Sequence, residues 1–274
     1  MKIKERVDVL LVQQGLFDTR EQAKRAVMAG LVYIKEERVD KPGEKIEITV
    51  ELNVKGQRMP YVSRGGLKLE KALEAFDFDI QDKIMLDIGS STGGFTDCAL
   101  QNGAKMSYAL DVGSNQLAWK LRNDERVEVM EHTNFRYAEL ASFTKGQPEF
   151  ATIDVSFISL RLILPNLTTI LATNGDVMAL IKPQFEAGRE QVGKKGIVRD
   201  VKVHKAVVEE VLDFARKLGY EVRNLSFSPI TGGEGNIEFI AHLRWTADTT
   251  VEAEYNAPES IDDVVIKGHH TLKG

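Results

Sequence analysis

The chain has 274 residues, a formal net charge of −5, and 43% hydrophobic and 28% charged residues, which is the composition of an ordinary globular protein. No apolar run approaches the roughly 18 residues that cross a bilayer, and the charged start leads into no signal-peptide core. We therefore expect a cytoplasmic protein without stable membrane association. The single cysteine, Cys98, excludes an internal disulfide and a multi-cysteine zinc site. We expect Cys98 to face the core and the protein to need no metal.

The charge is distributed unevenly along the chain. Residues 1–71 contain 15 Lys and Arg against 11 Asp and Glu, a net of +4, whereas the remainder has a net of −9. A basic front end on an acidic body favours contact of that front end with phosphate. An excess of this size also fits a solvated surface, so charge alone does not decide between them.

The first fifty residues predict two helices followed by short strands. Apolar positions recur at helical spacing over residues 5–14, and a second helix over residues 20–29 would be capped by Asp18 or Thr19. Short strands and a turn at residues 41–43 follow. Three cations would project from one side of the second helix: Arg20, Lys24 and Arg25.

Four short motifs in this region resemble those of an S4 RNA-binding domain: Arg6-Val7-Asp8, Arg20-Glu21-Gln22-Ala23, Gly30-Leu31-Val32 and Lys41-Pro42-Gly43. The resemblance implies a small α+β domain over residues 1–55 that binds RNA. Its implied RNA-binding cations are Arg6, Arg20, Lys24 and Arg25. The alternative is a helix-hairpin interaction module that binds no RNA.

Residues 56–66 predict an interdomain linker because they are rich in glycine and polar residues. Arg58 and Arg64 lie in it as further candidate RNA contacts, and the linker could be passive or become ordered when RNA arrives. A helical pattern resumes at Leu67 with Lys68 in its first turn. A cation is disfavoured near a helix N-terminus, which favours a functional reason for Lys68.

A glycine-rich turn follows the first strong strand pattern. The apolar run 84–86 ends in Asp87, and Ser91 stands where a dinucleotide fingerprint has its second glycine. Glycine lets a backbone approach a ligand closely, and an acid before the turn suits a cationic cofactor. The turn resembles the first motif of S-adenosylmethionine-dependent methyltransferases, which implies these cofactor-binding residues: Asp87, Gly89, Ser90, Ser91, Gly93, Gly94 and Phe95. The alternative is a tight turn with no ligand.

Beyond this turn, apolar strands alternate with helical stretches, which predicts an α/β doubly wound parallel sheet over residues 67–245. The second strand ends at Asp111, followed by Val112, where nucleoside-binding folds place a carboxylate for ribose hydroxyls. After the third strand, His132, Thr133 and Asn134 could reach an adenine edge or be plain loop residues. The strands at 220–227 and 237–244 are expected to form an antiparallel closing pair.

Two further strands end in charged residues at the same edge of the sheet, Asp154 and Lys182. Asp154 is a candidate for both cofactor binding and catalysis. A lysine at the end of a buried strand is rarely structural, since desolvating an ammonium is costly. Lys68 and Glu238 could approach the pair, and such a cluster could tune a lysine pKa so that Lys182 acts as a base. The cluster suits methyl transfer to an oxygen.

Other methylation targets would leave different residues in the chain. Cytosine C5 chemistry needs a nucleophilic cysteine, and Cys98 lies in the wrong element. Methylation of an exocyclic amine is disfavoured because Asp154 is followed by Val155-Ser156-Phe157 instead of two prolines and an aromatic residue.

The segments after the fifth strand predict mobile and loosely attached parts. Residues 188–199 are glycine-rich and basic and predict a mobile lid, with Arg189, Lys194 and Lys195 as RNA-binding candidates. From Thr246 the chain has no Lys or Arg until Lys267, which predicts a polar acidic tail over residues 246–274.

Motifs at residues 63–69, 87–96, 153–159 and 180–188 closely resemble the haemolysin TlyA family, which joins an S4 domain to an FtsJ-like methyltransferase domain. The resemblance implies a Rossmann-like S-adenosylmethionine-dependent enzyme that methylates ribose 2′-oxygens of ribosomal RNA, free or in ribosomal subunits. Its Lys-Asp-Lys-Glu tetrad maps onto Lys68, Asp154, Lys182 and Glu238. The linker departs from the family pattern at residues 58–62, which leaves its role open.

Two alternatives to this enzyme remain. The first is a non-catalytic RNA-binding or ribosome-assembly protein that keeps the cofactor pocket for stability. The second is a membrane-lysing haemolysin, which is disfavoured because the sequence has no spanning segment and no long basic amphipathic helix.

Overall fold

The computed structural model describes residues 4–17, 19–35, 37–55, 59–249 and 252–273. The chain divides into two compact units, Met1–Met59 and Pro60–Gly274. Within the described ranges, no helix is both long enough and apolar enough to cross a membrane.

The N-terminal unit is a small α+β domain, as the sequence predicts. Thr19 caps the second helix through a capping box, in which its side chain accepts a hydrogen bond from Gln22 N and its own N–H donates to the Gln22 side chain. Asp18, the other predicted cap, lies outside the described residues. The elements of the unit are β1 (Lys4–Arg6), α1 (Val7–Gln13), α2 (Arg20–Met28), β2 (Val32–Ile34), β3 (Glu37–Arg38), β4 (Lys45–Glu47) and β5 (Asn53–Val54).

The core of this unit lies between its two helices and the strands. Val7, Leu10 and Leu11 of α1 are buried together with Ala23 and Val27 of α2, at the helical spacing read from the sequence. Strand β1 pairs with β4, and β2 pairs with both β3 and β5. Neither β1 nor β5 was predicted, because strands of two or three residues are too short to show alternation.

The second unit is an α/β domain built on one sheet. Its elements are α3 (Gly66–Ala75), β6 (Ile84–Ile88), α4 (Gly94–Gln101), β7 (Met106–Leu110), α5 (Trp119–Arg122), β8 (Val127–Met130), β9 (Phe150–Ile153), α6 (Leu164–Leu167), β10 (Asp176–Ile181), α7 (Pro183–Glu186), α8 (Val201–Lys217), β11 (Tyr220–Phe227), β12 (Phe239–Trp245) and α9 (Ile261–Lys273). Short 3₁₀ turns lie at Phe135–Tyr137, Leu140–Ser142, Leu160–Leu162, Arg189–Gln191 and Gly233–Gly235.

The strand order is β11-β12-β10-β9-β6-β7-β8. Strands β6 to β10 are parallel to their neighbours among themselves, whereas β12 runs antiparallel to both β10 and β11. This is the predicted doubly wound sheet with an antiparallel last strand. All the parallel strands therefore end at one edge of the sheet, where ligands of such folds bind.

Both faces of the sheet are covered by helices. Ile84, Leu86 and Ile88 pack into the cluster that contains α6, α8 and α9. Met85 points the other way into the cluster that contains α3 and α4, together with the buried Cys98. Alternation along one strand therefore fills two separate cores, and the prediction that Cys98 faces the core is confirmed.

The prediction of a loosely attached tail is wrong for residues 261–273. This segment forms α9, whose Val264 and Val265 are buried in the main core. Lys205 of α8 forms an ion pair with Asp262 at 2.9 Å. The apolar stripe of α9 is short and follows a long acidic stretch, so composition outweighed periodicity in the prediction.

Candidate active site

A cavity of about 350 Å³ opens at the carboxyl edge of the sheet. Many predicted residues line it: Arg64, Lys68, Asp87, Gly89, Ser90, Ser91, Gly94, Phe95, Asp154, Lys182 and Glu238. The prediction missed other lining residues: Ser63, Gly65, Thr92, Ser156 and residues 230–233. For the turn at 63–65 and the loop at 230–233, sequence separation explains the omission, because both meet the sheet edge only through the fold.

The glycines of the turn allow the chain to pack against itself. Gly89 has φ +86°, and a Cβ there would lie 2.5 Å from the carbonyl oxygen of Asp154. A Cβ on Gly94 would lie 2.8 Å from Gly66 N. Gly93 has φ +95° and faces Leu117 and Leu121 instead of the cavity. Gly89 and Gly94 also line the cavity, and contact of these glycines with a ligand stays a prediction.

Asp87 is fully buried and holds the turn together. Its Oδ2 accepts hydrogen bonds from Thr96 N at 3.1 Å and Thr96 Oγ1 at 2.8 Å. Its Oδ1 accepts one from Thr152 Oγ1 at 3.0 Å. Burial raises the pKa of Asp87 to about 7 despite these hydrogen bonds. Asp87 borders the cavity, but its carboxylate is buried and positions the start of α4.

Asp111 organises the loop after β7. Its Oδ2 accepts a hydrogen bond from Ser91 N at 2.8 Å and its Oδ1 accepts one from Gly113 N at 2.7 Å. Ser91 itself has φ +47°, so this hydrogen bond stabilises a rare backbone conformation in the turn. Asp111 keeps lone pairs for further donors, and the neighbouring Val112 is 69% exposed.

The three predicted residues after β8 lie beside this loop and do not line the cavity. His132 N donates to Gly113 O at 3.1 Å, and Thr133 N donates to Asp111 O at 3.0 Å. The Asn134 side chain accepts a hydrogen bond from Arg136 N at 3.1 Å. Backbone groups therefore join the two loops, while the Asn134 carboxamide oxygen caps a short turn. Their role in holding a cofactor stays a prediction.

Four charged side chains meet at the opposite wall of the cavity. Lys68 Nζ lies 2.8 Å from Glu238 Oε2 and 3.5 Å from Asp154 Oδ2. Lys182 forms an ion pair with Asp154 and donates a hydrogen bond to Ser156 Oγ at 3.3 Å. Lys68, Lys182 and Glu238 are each less than one-tenth exposed. Asp154 thus lies between two ammonium groups.

Each member of this tetrad comes from a different element. Lys68 lies in the first turn of α3, Asp154 follows β9, Lys182 follows β10, and Glu238 precedes β12. Pro183 begins α7 directly after Lys182 and so limits the backbone there. The four positions are remote in sequence but adjacent at one sheet edge.

Two residues fix the carboxylate of Glu238 on its far side. Gln184 Nε2 donates to Glu238 Oε1 at 3.2 Å. A Cβ on Gly232 would overlap with the same Oε1, so a larger residue there would require the Glu238 carboxylate to shift. With two cations and two anions, the cluster is nearly neutral and each charge has a partner, which burial requires.

The end of the predicted linker is docked on the second unit. Tyr61 is buried and donates its hydroxyl hydrogen to Glu70 Oε1 at 2.7 Å. Val62 N donates to Asp97 Oδ2 at 2.8 Å. Arg64 is exposed at the cavity mouth, whereas Arg58 lies outside the described residues. The exact bounds of the linker, 56–66, stay a prediction.

The predicted RNA-binding cations of the first unit differ in their surroundings. Arg6 Nε and Arg20 Nη2 bind the buried carboxylate of Asp8 at 2.9 Å and 3.0 Å. Lys24 pairs with Glu21 at 2.6 Å, and Arg25 is exposed. Arg6 and Arg20 therefore hold the fold through Asp8 while their side chains remain 39% and 53% exposed.

The basic segment after α7 is exposed at its cations and anchored at its end. Arg189, Lys194 and Lys195 are exposed, whereas Val198 is buried. Within the described part of the chain, no group of His, Cys, Asp and Glu side chains could hold a metal ion. The mobility of this segment and its contact with RNA stay predictions.

Comparison with known proteins identifies the fold family. The pattern of the FtsJ-like methyltransferases matches residues 61–245, and that of the S4 domain matches residues 5–52. The chain belongs to the FtsJ-like methyltransferase family. It is also similar to the Mycobacterium tuberculosis "16S/23S rRNA (cytidine-2'-O)-methyltransferase TlyA", with 40% identity over 255 residues, 93% of this chain and 95% of that protein. The predicted resemblance to the TlyA family is thereby confirmed.

Two further relatives cover nearly the whole chain. The Bacillus subtilis "Putative rRNA methyltransferase YqxC" is 67% identical over 270 residues, 98% of this chain and 96% of that protein. The solved structure titled "Putative hemolysin from Streptococcus thermophilus" has 59% identity and a TM-score of 0.77, and covers 100% of this chain and 98% of that one. The likeness therefore includes both units of this FtsJ-like methyltransferase.

S-adenosylmethionine is the cofactor of this methyltransferase, as the turn predicts. The cavity is within the range of about 300–1,000 Å³ that small-molecule sites occupy. Its walls combine turn backbone and hydroxyl groups with the paired lysines and carboxylates of the tetrad. This polar set of donors and acceptors fits a small polar molecule, and the structure therefore fits the cofactor that the family implies.

Proposed function

We propose that this FtsJ-like methyltransferase transfers a methyl group to ribose 2′-oxygens of ribosomal RNA, with Lys182 as the base. The observation that carries the proposal is the buried cluster of Lys68, Asp154, Lys182 and Glu238 at the wall of the cofactor cavity. The named activity of the TlyA relative and the matched S4 domain support the same substrate.

The residues that would hold the cofactor are those of the turn and its neighbours. Gly89, Ser90 and Ser91 present backbone and hydroxyl groups to the cavity, and Asp111 keeps acceptor capacity for ribose hydroxyls. When bound, S-adenosylmethionine supplies an electrophilic methyl group on a sulfonium. The chain then has to align a hydroxyl with that methyl group and remove one proton.

Lys182 is positioned to take that proton. Its ammonium would first lose a proton to solvent, and the resulting neutral amine would then accept the proton of a 2′-hydroxyl. Asp154 and Ser156 hold its Nζ, which fixes the direction in which the amine can reach. Lys68 neutralises Asp154 and Glu238, so that the carboxylates do not repel one another. This set of contacts pre-organises the base before RNA arrives.

RNA would be held by cations outside the tetrad. Arg6, Arg20, Arg25 and Arg64 are at least partly exposed and can pair with phosphates. We propose that the protein acts in the cytoplasm on ribosomal RNA, in free form or in ribosomal subunits. No metal takes part in the proposal.

The test is replacement of the base. K182A should reduce methyl transfer from labelled S-adenosylmethionine to ribosomal RNA by about 10²–10⁴-fold, the usual contribution of a general base, while cofactor affinity stays within about threefold. Mapping of 2′-O-methyl groups on the RNA identifies the product.

Lys71 offers a matched control on the same helix as Lys68. It is half-buried and donates to Phe227 O at 2.6 Å, outside the tetrad. K71A should keep most of the activity, whereas K68A should lose it. Undiminished transfer by K182A would refute the mechanism. A wild-type protein that binds RNA and cofactor but transfers nothing would instead favour a non-catalytic role in ribosome assembly.

A further inference from the structure

The buried side chain of Asn236 joins two segments that the catalytic tetrad does not include. Asn236 is 3% exposed and lies two residues before Glu238. Its Oδ1 accepts a hydrogen bond from Val198 N at 3.1 Å, and its Nδ2 donates to Gly196 O at 2.9 Å. Nδ2 also donates to Gly233 O at 3.0 Å. One carboxamide therefore ties the end of the basic segment to the cavity loop.

The basic segment, residues 189–195, is attached to the unit through its C-terminal end. A bridge between Gly193 and Ile197 closes a turn there, with Gly193 N donating to Ile197 O at 3.0 Å. Val198 is 1% exposed, and its carbonyl oxygen lies 3.2 Å from His204 Nε2 of α8. Val198 is thus held on its N–H side by Asn236 and on its carbonyl side by His204.

The cavity loop, residues 230–233, has separate support. Gly232 N donates to Asn236 O at 2.8 Å, and Asn236 N donates to Gly233 O at 3.2 Å. These bonds use backbone groups and do not need the Asn236 side chain. Truncation of that side chain therefore removes its hydrogen bonds to Gly196, Val198 and Gly233, while the loop beside Glu238 keeps its two backbone hydrogen bonds. The loss loosens the basic segment more than the loop.

We infer that Asn236 is a positioning residue for substrate RNA. Its side chain holds the basic segment at the cavity, so that Lys194 and Lys195 bind the phosphates beside the target ribose. The inference rests on the proposed function. Lysines on a free loop lose conformational entropy when they bind. A segment that Asn236 already holds in place loses less entropy when it binds. The hydrogen bonds of Asn236 therefore raise the affinity for RNA, although Asn236 itself does not contact the RNA.

The test is a mutant cycle on the full-length protein. N236A should raise the KM for ribosomal RNA about tenfold, with kcat and cofactor affinity within about twofold. K194A/K195A should raise the same KM to a similar extent, because two phosphate contacts are lost. In the triple variant the KM for RNA should rise no more than in the variant with the larger effect, since Asn236 acts through the lysines.

A second variant disturbs the attachment to Asn236 from within the chain that follows the basic segment. Gly196 has φ +70°, its N–H donates to Gly193 O at 3.1 Å, and a Cβ there would meet open space. G196P cannot adopt this φ or donate that bond, so it should reproduce the KM effect of N236A without altering the cavity loop. Melting curves check that both variants fold.

Asn166 supplies the matched control. Its Nδ2 donates to two carbonyl oxygens, those of Phe135 and Ala138 at 2.7 Å and 3.0 Å, and none of these three residues lines the cavity. N166A should leave the KM for RNA unchanged. An unchanged KM in N236A, or multiplied losses in the triple variant, would overturn the inference.

The dissociation constant for ribosomal RNA separates this inference from the proposed function. If the wild type transfers no methyl group but N236A still weakens RNA binding about tenfold, the enzymatic proposal fails and the positioning role stands. If the wild type transfers methyl groups and N236A binds RNA normally, the positioning role fails alone.

Discussion

Gly89 carries a constraint that a side chain of any size would violate. Its φ is +86°, and an added Cβ would lie 2.5 Å from the Asp154 carbonyl oxygen. G89A should therefore lower the free energy of unfolding by roughly 3 kcal/mol and weaken cofactor binding, because both strain and overlap must be relieved. Chemical denaturation and calorimetric titration measure the two effects.

Substitution of Gly235 distinguishes the cost of backbone strain from the cost of steric overlap at Gly89. It has φ +85° and open space where a Cβ would stand, so G235A should cost only about 1–2 kcal/mol. Equal losses in G235A and G89A would show that the overlap with Asp154 does not matter.

Single residues were predictable where their own sequence neighbourhood carries the signal. Asp154 and Lys182 follow apolar strands, and strand ends meet at one edge. Ser156 and Asn236 were missed because their partners, Lys182 and Val198, are 26 and 38 residues away. Asp87 was recognised, but its hydrogen bonds to Thr96 and Thr152 depend on how α4 and β9 pack.

The junction of α1 and α2 depends on one buried acid. The hydrogen bond from Arg6 holds the pKa of Asp8 at about 2, below its ordinary 3.8, and the hydrogen bond from Arg20 acts in the same direction. A depressed pKa in the folded state means that the stabilisation is present above about pH 4 and is lost as the pH falls toward 2.

D8N should weaken the N-terminal unit by about 1–2 kcal/mol at neutral pH and abolish that acid-dependent loss. Hydrogen exchange of peptides from residues 7–28 in the full-length protein measures it. Asp40 is the control, since its pair with Arg38 at 2.7 Å is more than half exposed on both sides. D40N should change exchange by at most about 0.5 kcal/mol, and an equal effect of both variants would refute the role of Asp8.

Elements with a strong periodicity of apolar residues were predictable from the sequence, and elements without such a periodicity were not. Strand β11 follows a long pattern and covers the expected residues, 220–227. The two-residue β5 pairs with β2, a contact that its own sequence does not indicate. Helix α9 was missed because the burial of Val264 and Val265 depends on the core that they pack against, which their own sequence does not indicate.

At the scale of the whole molecule, the uneven charge predicts salt-dependent RNA binding. Residues 1–71 have a net charge of +4 and the remainder −9, so a phosphate-bound front end releases counterions. R25A should lower the slope of log Kd against log salt by about 0.7–0.9, the effect of one lost phosphate contact. Titration of labelled ribosomal RNA at several salt concentrations measures the slope.

Lys217 is an exposed cation in the acidic part of the chain and serves as the control. K217A should leave the slope unchanged although it removes the same charge. An identical fall in both variants would mean that RNA responds to total charge and not to the front end.

The pair between Lys68 and Glu238 spans 170 residues of chain, which has a consequence during synthesis. A ribosome that has translated the chain only as far as the fifth parallel strand has made Lys68 and Asp154 but not Glu238, the nearer of the two carboxylates that Lys68 contacts. Such a nascent protein lacks part of the compensation for a buried ammonium, so the tetrad is complete only after the last hairpin has been made. The enzyme therefore becomes competent only near the end of its own translation, and truncated translation products should be inactive in methyl transfer.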